Sequence, residues 1–286
     1  VKTVTCPYCG LVFHIGEEGK YEVSKVDHYY FPLDERDPYE LLLKFVSRQY
    51  GSPADIPSAS SLTKRVLHYV PVYFFYLHGS AIVKPFLSNR RTRVEVVKYL
   101  GIPAIGGKLG LLLEDYPFPI RGKRFFEEDV KRAGVFHEPL FDAEEAKKKA
   151  EFFLTSALLD EARKSCSSIS DLQEESKNVE YRGLVHYPVW ELAYTYKRET
   201  YEGWIDGADG RIILVEHPIT VAIRATQIAI GIGLITAGLV VGGFTSIIFH
   251  SILGIVGGVA AGFAGAIQPL IRSVEVKVKA SQVREL

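Results

Sequence analysis

The sequence predicts an α+β fold. An N-terminal zinc-knuckle-like strand segment precedes two tandem helix-plus-antiparallel-sheet units and a C-terminal two-helix transmembrane hairpin. Three observations support this: a long charge-free run near the C-terminus, two similar aromatic stretches that each follow a capped helix, and a CPYCG motif near the N-terminus. We divide the chain into residues 1–36, 37–135, 136–218 and 219–272, with a strand-like tail over 273–286.

The composition limits the classes of partner. The 286 residues contain 34 Lys plus Arg and 34 Asp plus Glu. Proteins that bind nucleic acid through bulk charge carry a strongly basic face, so no nucleic-acid partner is expected. Met is absent and Cys is scarce, a composition that resembles hyperthermophile proteins.

The CPYCG motif places Cys6 and Cys9 on either side of a turn. Such a pair is commonly half of a tetrahedral zinc site. His14 and His28 are the nearby candidates for the other half, so we predict Zn in a Cys2His2-type site. A degenerate knuckle that keeps its turn without metal is an equal alternative. A redox motif is disfavoured, because residues 10–13 predict a turn and a strand, whereas a low thiol pKa needs a helix N-terminus.

Two similar units are predicted to follow. Asp37 and Asp142 each precede a helical pattern and have a glutamate three residues later, the spacing of a capping box. Each helix leads to an aromatic stretch, VLHYVPVYFFYLHG from Val66 and LVHYPVWELAYTYK from Leu184. Both contain His-Tyr, a proline and then alternating residues typical of strands. The repeat predicts one helix and one antiparallel sheet in each unit.

The segments around these units are predicted as follows. The segment between them is ordered and packs its aromatic side chains on the sheets, so that the units share an interface. The stretch SCSSISDLQEESKNVE from Ser165 is a mobile loop. Turns lie at residues 197–199 and at DGADG, where Gly207 and Gly210 are available for positive φ. The aromatic residues of the ordered segment are Tyr116, Phe118, Phe125, Phe126 and Phe136.

Two family resemblances rest on these stretches. DAEEAKKKAEFFL, YPVWELAYTY and YEGWIDGADGRII together resemble the PepSY-like pattern of a helix, a meander and a final hairpin. CPYCG, YYFPLDERDPYELLLKFVSRQYGSPADI and LHYVPVYFF are similar to prokaryotic zinc-ribbon membrane proteins labelled primosomal-protein-N′-like. Gly19 stands where that pattern has a further cysteine. The resemblance implies an architecture and no established chemistry.

Residues 225–271 contain no charged side chain and are bracketed by Arg224 and Arg272. One crossing of a bilayer needs about 20 apolar residues, so we predict two spans, residues 226–243 and 247–270, with a break between them. Basic residues precede the first span and follow the second. Basic residues next to a span stay on the cytosolic side of a membrane. Both termini and the main domain are therefore expected in the cytosol, against the cell membrane.

Glycines recur at four-residue spacing within the spans, which lets helix backbones approach closely. They can serve the two helices of the hairpin or helices of other copies, and small residues on several faces favour self-association as well. His250 is the one ionisable residue of the run and is expected at the outer interface; the alternative is a functional intramembrane residue. The predicted packing residues are Gly238, Gly242, Gly254, Gly258, Gly262 and Gly265.

The sequence has no recognisable catalytic motif. It lacks G-x-S-x-G, a phosphate-binding G-x-x-x-x-G-K-[ST] and H-E-x-x-H. Cys166 is interpreted as a structural or incidental thiol, and His68 and His186 as packing residues. We therefore expect no enzyme, no catalytic residue and no small-molecule substrate.

The favoured hypothesis is a membrane-anchored structural or interaction scaffold. It contacts membrane lipid, self-associates into a homo-oligomer through the glycine-rich hairpin and displays its β-rich module to an unidentified protein partner. The tail SVEVKVKASQV alternates like a strand and is predicted to pair with a sheet edge of its own or a neighbouring subunit. The alternatives are an oligomeric channel or transporter subunit and a nucleic-acid-binding protein that uses the metal module.

Overall fold

A computed structural model describes residues 2–5, 12–15, 21–23, 28–86, 91–166, 169–250, 252–274 and 277–283. Its strands are β1 (Lys2–Thr5), β2 (Val12–Ile15), β3 (Tyr21–Val23), β4 (His28–Tyr30), β5 (Ser61–Pro85), β6 (Thr92–Pro103), β7 (Arg124–Phe125), β8 (Val135–Phe136), β9 (Ile169–Tyr196), β10 (Glu199–Asp206), β11 (Ile212–Pro218) and β12 (Lys277–Ala280). Its helices are α1 (Pro38–Val46), α2 (Ile56–Ala59), α3 (Gly107–Leu113), α4 (Val130–Ala133), α5 (Ala143–Ser165), α6 (Val221–Phe249) and α7 (Leu253–Val274). The mixed α+β class with two apolar C-terminal helices is as predicted.

The long strands β5 and β9 form the centre of the fold. They pair antiparallel from Ser61 opposite Thr195 to Pro85 opposite Ile169. This pairing sets the two similar aromatic stretches side by side, with Pro71 opposite His186. The stretches thus lie in one shared sheet, where the sequence predicted one sheet for each unit.

The other strands extend this curled, mainly antiparallel sheet. On one side of β9 lie β10, β11 and β12 in succession, while β4 runs parallel to β9 and carries β7. On the far side of β5 lie β6 and the short parallel strand β8. Strands β1, β2 and β3 form a separate antiparallel sheet.

The predicted mobile loop after Ser165 is wrong from Ile169 onward, where β9 begins. The stretch is polar, but its apolar residues recur on the face that meets α5. Leu172, Val179 and Tyr181 pack there against the buried cluster beneath the helix. Strand pairing with β5 satisfies the backbone polar groups of this stretch, which explains why a charged sequence forms a strand here.

Helix α5 covers the β5–β6 end of the sheet. Its N-cap is Asp142, whose carboxylate accepts a hydrogen bond from the Glu145 N–H at 2.8 Å. Its buried stripe recurs at three- to four-residue intervals, as an amphipathic helix requires. That stripe is Ala146, Ala150, Leu154, Leu158 and Ala162.

Helix α1 covers the other end of the same sheet. Asp37 caps it by accepting from the N–H groups of Tyr39 and Glu40. Its buried Leu42 and Val46 pack against side chains of β9, β10 and β11. Each predicted helix start is therefore found, and each helix closes one part of the core.

The aromatic segment between the units is ordered, as predicted. Tyr116 is buried in the cluster formed with β5 and β9, and Phe118 and Phe125 pack against that cluster. Phe126 and Phe136 pack in a smaller cluster on β5. These contacts fix the chain between β6 and α5 onto the sheet.

Both predicted turns are present. Lys197 and Arg198 connect β9 to β10, with φ of 47° and 72°. In the DGADG turn only Gly210 takes a positive φ, of 75°. Gly207 instead lies against Pro188, where a β-carbon would come within 2.9 Å of the proline ring.

Helices α6 and α7 form the C-terminal hairpin. The predicted break at residues 243–246 is wrong, because α6 continues through it to Phe249. The helix ends at His250, which takes a left-handed conformation with φ 49° and donates its N–H to the Ser246 carbonyl. Backbone hydrogen bonding and packing against α7 hold the glycine-containing stretch helical, at a cost of about 1 kcal/mol per glycine relative to alanine.

The chain returns from the hairpin to the strand it left. Strand β11 ends at Pro218, directly before α6, and β12 follows α7 and pairs antiparallel with β11, with Pro218 opposite Lys277. The predicted pairing of the tail is therefore found within the same chain. Both ends of the hairpin leave from one edge of the sheet.

We predict that Leu154→Ala lowers the free energy of unfolding by about 2–5 kcal/mol, because it removes a fully buried side chain of α5 and leaves a cavity. Chemical unfolding followed by circular dichroism measures the change. Phe152 on the same helix is 76% exposed, so Phe152→Ala is the control, expected within about 0.5 kcal/mol of wild type. Equal losses in the two variants would show that α5 does not pack as described.

Candidate functional site

Most of the exposed large apolar side chains among the described residues belong to the C-terminal hairpin. Val221–Phe249 and Leu253–Ile271 are both long and apolar enough to cross a membrane. In their most apolar windows only 6% and 11% of the residues are buried within the protein. A helix of 29 residues spans about 44 Å, which exceeds the roughly 30 Å of a bilayer core. The two helices fit a membrane protein with two spans.

Glycines form the contact between α6 and α7. A β-carbon added at Gly242 would lie 2.7 Å from the Gly254 carbonyl oxygen, and one added at Gly262 would lie 2.9 Å from that of Leu234. Neither helix could approach so closely with larger residues. The predicted packing glycines at this contact are Gly238, Gly242, Gly254, Gly258 and Gly262, and Gly265 lies at its edge, beside Leu234.

A second set of glycines faces away from the partner helix. β-Carbons added at Gly233, Gly243 or Gly257 would meet no described atom within 4 Å. The hairpin thus has one glycine face used internally and small residues left on its outer surface.

The base of the hairpin is joined to the sheet domain by direct contacts. The Thr220 N–H donates to the Gly51 carbonyl at 2.8 Å, and Gly51 also lies against Ile219 and Ile223. Lys277, at the return of the chain, donates to the Thr200 carbonyl. These bonds link α1, α6 and β12 at one end of the domain.

Only part of the predicted zinc site lies within the described residues. Cys6 and Cys9 lie outside the described residues, and His14 is in β2, where only its backbone is described. His28 is in β4, with its Nε2 atom 2.7 Å from Nε2 of His186. Among the described residues there is no group of three or more His, Cys, Asp or Glu side chains that could hold a metal ion. Zinc binding stays a prediction.

His28, which is partly buried, and the buried His186 form a pair that joins β4 to β9. His28 stacks on Phe126 with centroids 4.1 Å apart, and His186 stacks on Phe136 at 4.2 Å. Burial, with His28 and Lys131 nearby, lowers the pKa of His186 to about 3. Burial and the charge of Lys131 also lower the pKa of His28. Both rings are therefore neutral near pH 7, so that one nitrogen can donate to the other.

A second polar chain joins β5, β9 and the residue that follows β8. His137 Nε2 lies 3.0 Å from His68 Nδ1, and His68 Nε2 lies 3.1 Å from a Glu191 oxygen. Lys64 pairs with the other Glu191 oxygen at 2.6 Å. Burial raises the pKa of Glu191, but hydrogen bonds from Lys64 and His68 outweigh it and lower the pKa overall. An ionised Glu191 can accept a hydrogen bond from His68 Nε2, so Lys64, Glu191 and the two imidazole rings form one connected chain.

Asp206 of the DGADG turn is a buried carboxyl group with a full set of donors. Its Oδ2 accepts from the hydroxyls of Tyr116 and Tyr187, and its Oδ1 accepts from the N–H of Ala208 at 2.7 Å and that of Asp209 at 3.2 Å. Burial, followed by the charge of Asp209, raises its pKa to about 6. The arrangement locks the turn onto the aromatic segment and makes Asp206 a structural residue.

A cavity of about 900 Å³ lies between β6, α3 and α5. Charged groups of both signs line it: Lys98 and Lys149 from β6 and α5, and Glu114 and Asp115 at the end of α3. Its charge therefore selects neither anions nor cations. The sequence gives no sign of this cavity, because distant segments build it. Its aromatic lining is Phe74, Tyr99, Tyr116, Phe118, Phe141, Phe152 and Phe153.

No protein-family model matches the chain, and comparisons with curated proteins and with solved structures find no match. The resemblances drawn from the sequence therefore stay predictions.

We predict that Gly258→Ala weakens the contact between α6 and α7. The new β-carbon would lie 2.5 Å from the Cα of Gly242 and clash with the Gly238 carbonyl, so the helices must separate. A lower unfolding temperature in detergent micelles and a longer distance between spin labels on the two helices would report this. The neighbouring Gly257→Ala meets open space and is the matched control. Equal effects at both positions would contradict the contact.

We predict an acid-sensitive contribution to stability from His186. Its pKa is about 3 in the folded protein against 6.5 for an unperturbed histidine, so the contribution is complete above pH 6.5 and is lost as pH falls towards 3. The loss is of the order of a few kcal/mol. Urea unfolding between pH 7 and pH 4 measures it, and His186→Phe should flatten the profile.

The control for this titration is His78→Gln, since the His78 side chain is 40% exposed and paired with Glu95. An equal flattening of the profile in this variant would show that the effect is not specific to the buried histidine. A His186→Phe profile as steep as that of wild type would assign the acid sensitivity to other groups.

Proposed function

We propose that the chain is a membrane-anchored structural or interaction protein. The glycine-rich hairpin holds it in the membrane and mediates self-association, and the β-rich domain is displayed on the cytosolic face. The observation that carries this proposal is the return of the chain through β12 to β11, the strand from which α6 departs. An apolar hairpin whose two ends share one sheet edge must enter and leave a bilayer on the same side.

This closure also makes the anchor stiff. A single span on a flexible linker would let a domain tumble, whereas here both ends of the hairpin are held by the sheet through β11 and β12. The added bond from Thr220 to Gly51 ties the N-cap of α6 to the segment that follows α1. A domain held in a fixed orientation suits a scaffold that presents one surface to a partner.

The orientation follows from charge. Arg224 precedes the apolar run, and Lys277 and Lys279 follow it, while residues 250–252 between the helices carry only His250 as an ionisable group. Basic residues are retained on the cytosolic side. The sheet domain is therefore assigned to the cytosol, with the His250 turn on the opposite side of the cell membrane.

Self-association is supported by the outer surface of the hairpin. Gly233, Gly243 and Gly257 lie away from the internal contact. Small residues let helices of neighbouring copies pack closely, which drives association between membrane helices through van der Waals contacts. A homo-oligomer would place several sheet domains side by side on one membrane face.

We predict that the full chain resists alkaline extraction from membranes and that cross-linking in native membranes gives a ladder of homo-oligomers. Gly233→Leu with Gly257→Leu should reduce the ladder to the monomer band, because the bulky side chains block close approach on the outer surface. The monomer should keep its unfolding temperature.

Gly258→Leu is the companion variant, since it disturbs the internal contact of the hairpin. It should lower the unfolding temperature as its main effect. Extraction of the wild-type chain by alkali would refute the membrane anchor, and a monomer band alone in wild-type membranes would refute self-association.

A further inference from the structure

The end of the sheet domain beside the hairpin carries a cluster of cations. We define it as the basic rim: Arg48, Lys197, Arg198, Arg224 and Lys277. Their elements meet there, since the turn after α1 bonds to Thr220 and the return strand β12 pairs with β11. If the hairpin crosses a bilayer as proposed above, this is the end of the domain that meets the membrane surface.

The strand register shows the level along the strands at which the basic rim lies. Lys277 lies opposite Pro218, the last residue of β11, and donates to the carbonyl of Thr200 on β10. These three residues therefore lie at one level. The turn at Lys197 and Arg198 continues beyond Thr200 in the direction in which the chain leaves β11, so it reaches the level of the first turn of α6.

The turn at Lys197 and Arg198 has a strained backbone conformation. Both Lys197 and Arg198 have positive φ, of 47° and 72°. A two-residue hairpin turn of this kind strongly prefers Asn-Gly or Asp-Gly, because other residues are strained in the left-handed region. Two long cations occupy positions where they cost stability, and strain retained in this way is a pointer to function.

The side chains of the rim are available to a membrane surface. Lys197 has 70% of its side chain exposed, and its one described carboxylate neighbour, Asp55, is at 4.0 Å. Tyr50 is 74% exposed, next to the glycine that touches α6. An exposed tyrosine at this height is typical of the headgroup region.

Cations outnumber carboxylates at this end of the domain. Asp55, Glu199 and Glu216 lie among the cations, and Glu216 is near Lys277 at 3.9 Å. Lys197, Arg198 and Arg48 remain as exposed positive charge. This excess is complementary to an anionic surface, and juxtamembrane cations are the usual means of holding anionic lipids.

We infer that the basic rim binds the phosphate headgroups of anionic phospholipids, with the Lys197–Arg198 turn as its principal contact. The inference rests on the proposed membrane anchor and adds a lipid class to it. Headgroup binding at the rim would draw the strained turn to the membrane and fix the tilt of the sheet domain.

The test uses the full chain reconstituted in phosphatidylcholine vesicles. Electron paramagnetic resonance of spin-labelled phosphatidylglycerol and spin-labelled phosphatidylcholine gives their relative association with the protein. Wild type should select phosphatidylglycerol, and added salt should reduce this selectivity. Lys197→Asn with Arg198→Gly should lower the selectivity about fivefold for each cation removed, and its Asn-Gly turn should raise the unfolding temperature in neutral vesicles.

Lys148→Asn with Arg163→Asn on α5 is the charge-matched control, because α5 packs over the opposite end of β5; it should keep wild-type selectivity. Arg48→Gln, outside the turn, should lower selectivity without changing the turn. Unchanged selectivity in the turn variant, or an equal loss in the α5 control, would overturn the inference. A chain that fails to enter the vesicles would instead refute the proposed membrane anchor.

Discussion

The pairing of β5 with β9 is the constraint on which the rest of the structure depends. It runs from Ser61 opposite Thr195 to Pro85 opposite Ile169. Strands β4, β6, β8 and β10 pair directly with it, and β7, β11 and β12 extend the sheet from those strands. Because one face of the pair is covered by α1 and α5 at its two ends, a slip of one residue would move whole rows of core side chains to the wrong face. The register of this pair therefore sets the positions of both helices.

The second constraint is the return of the chain from α7 to β11. It fixes both ends of the hairpin on one edge of the sheet, at Pro218 and Lys277. Within a bilayer, lipid is as apolar as the helices, so their contact depends on close packing and not on the hydrophobic effect. The glycines between α6 and α7 supply that close packing, while the outer glycines leave the hairpin able to meet further copies.

Buried polar groups tie together segments that are far apart in the chain. His28 meets His186 across 158 positions, and Tyr116 meets Asp206 across 90. Groups of this kind are costly to bury unless they are paired, and here the pairs hold β4 and the aromatic segment onto the sheet. The positive φ values at Lys197 and Arg198 are a local backbone strain, which we relate to the proposed contact of this turn with the membrane surface.

The sequence by itself determined the features that arise from local pattern. The caps at Asp37 and Asp142, the two turns that follow β9 and β10, the ordered aromatic segment and the two apolar helices all follow from short-range periodicity and composition. Tertiary structure alone decided that the two aromatic stretches share a sheet, that the charged stretch after Ile169 is a strand, that α6 runs to Phe249, and that His28 pairs with His186. Each of these depends on contacts between residues distant in the chain, and the energy of such contacts overrides local propensity when a strand gains a partner or a helix gains a packing face.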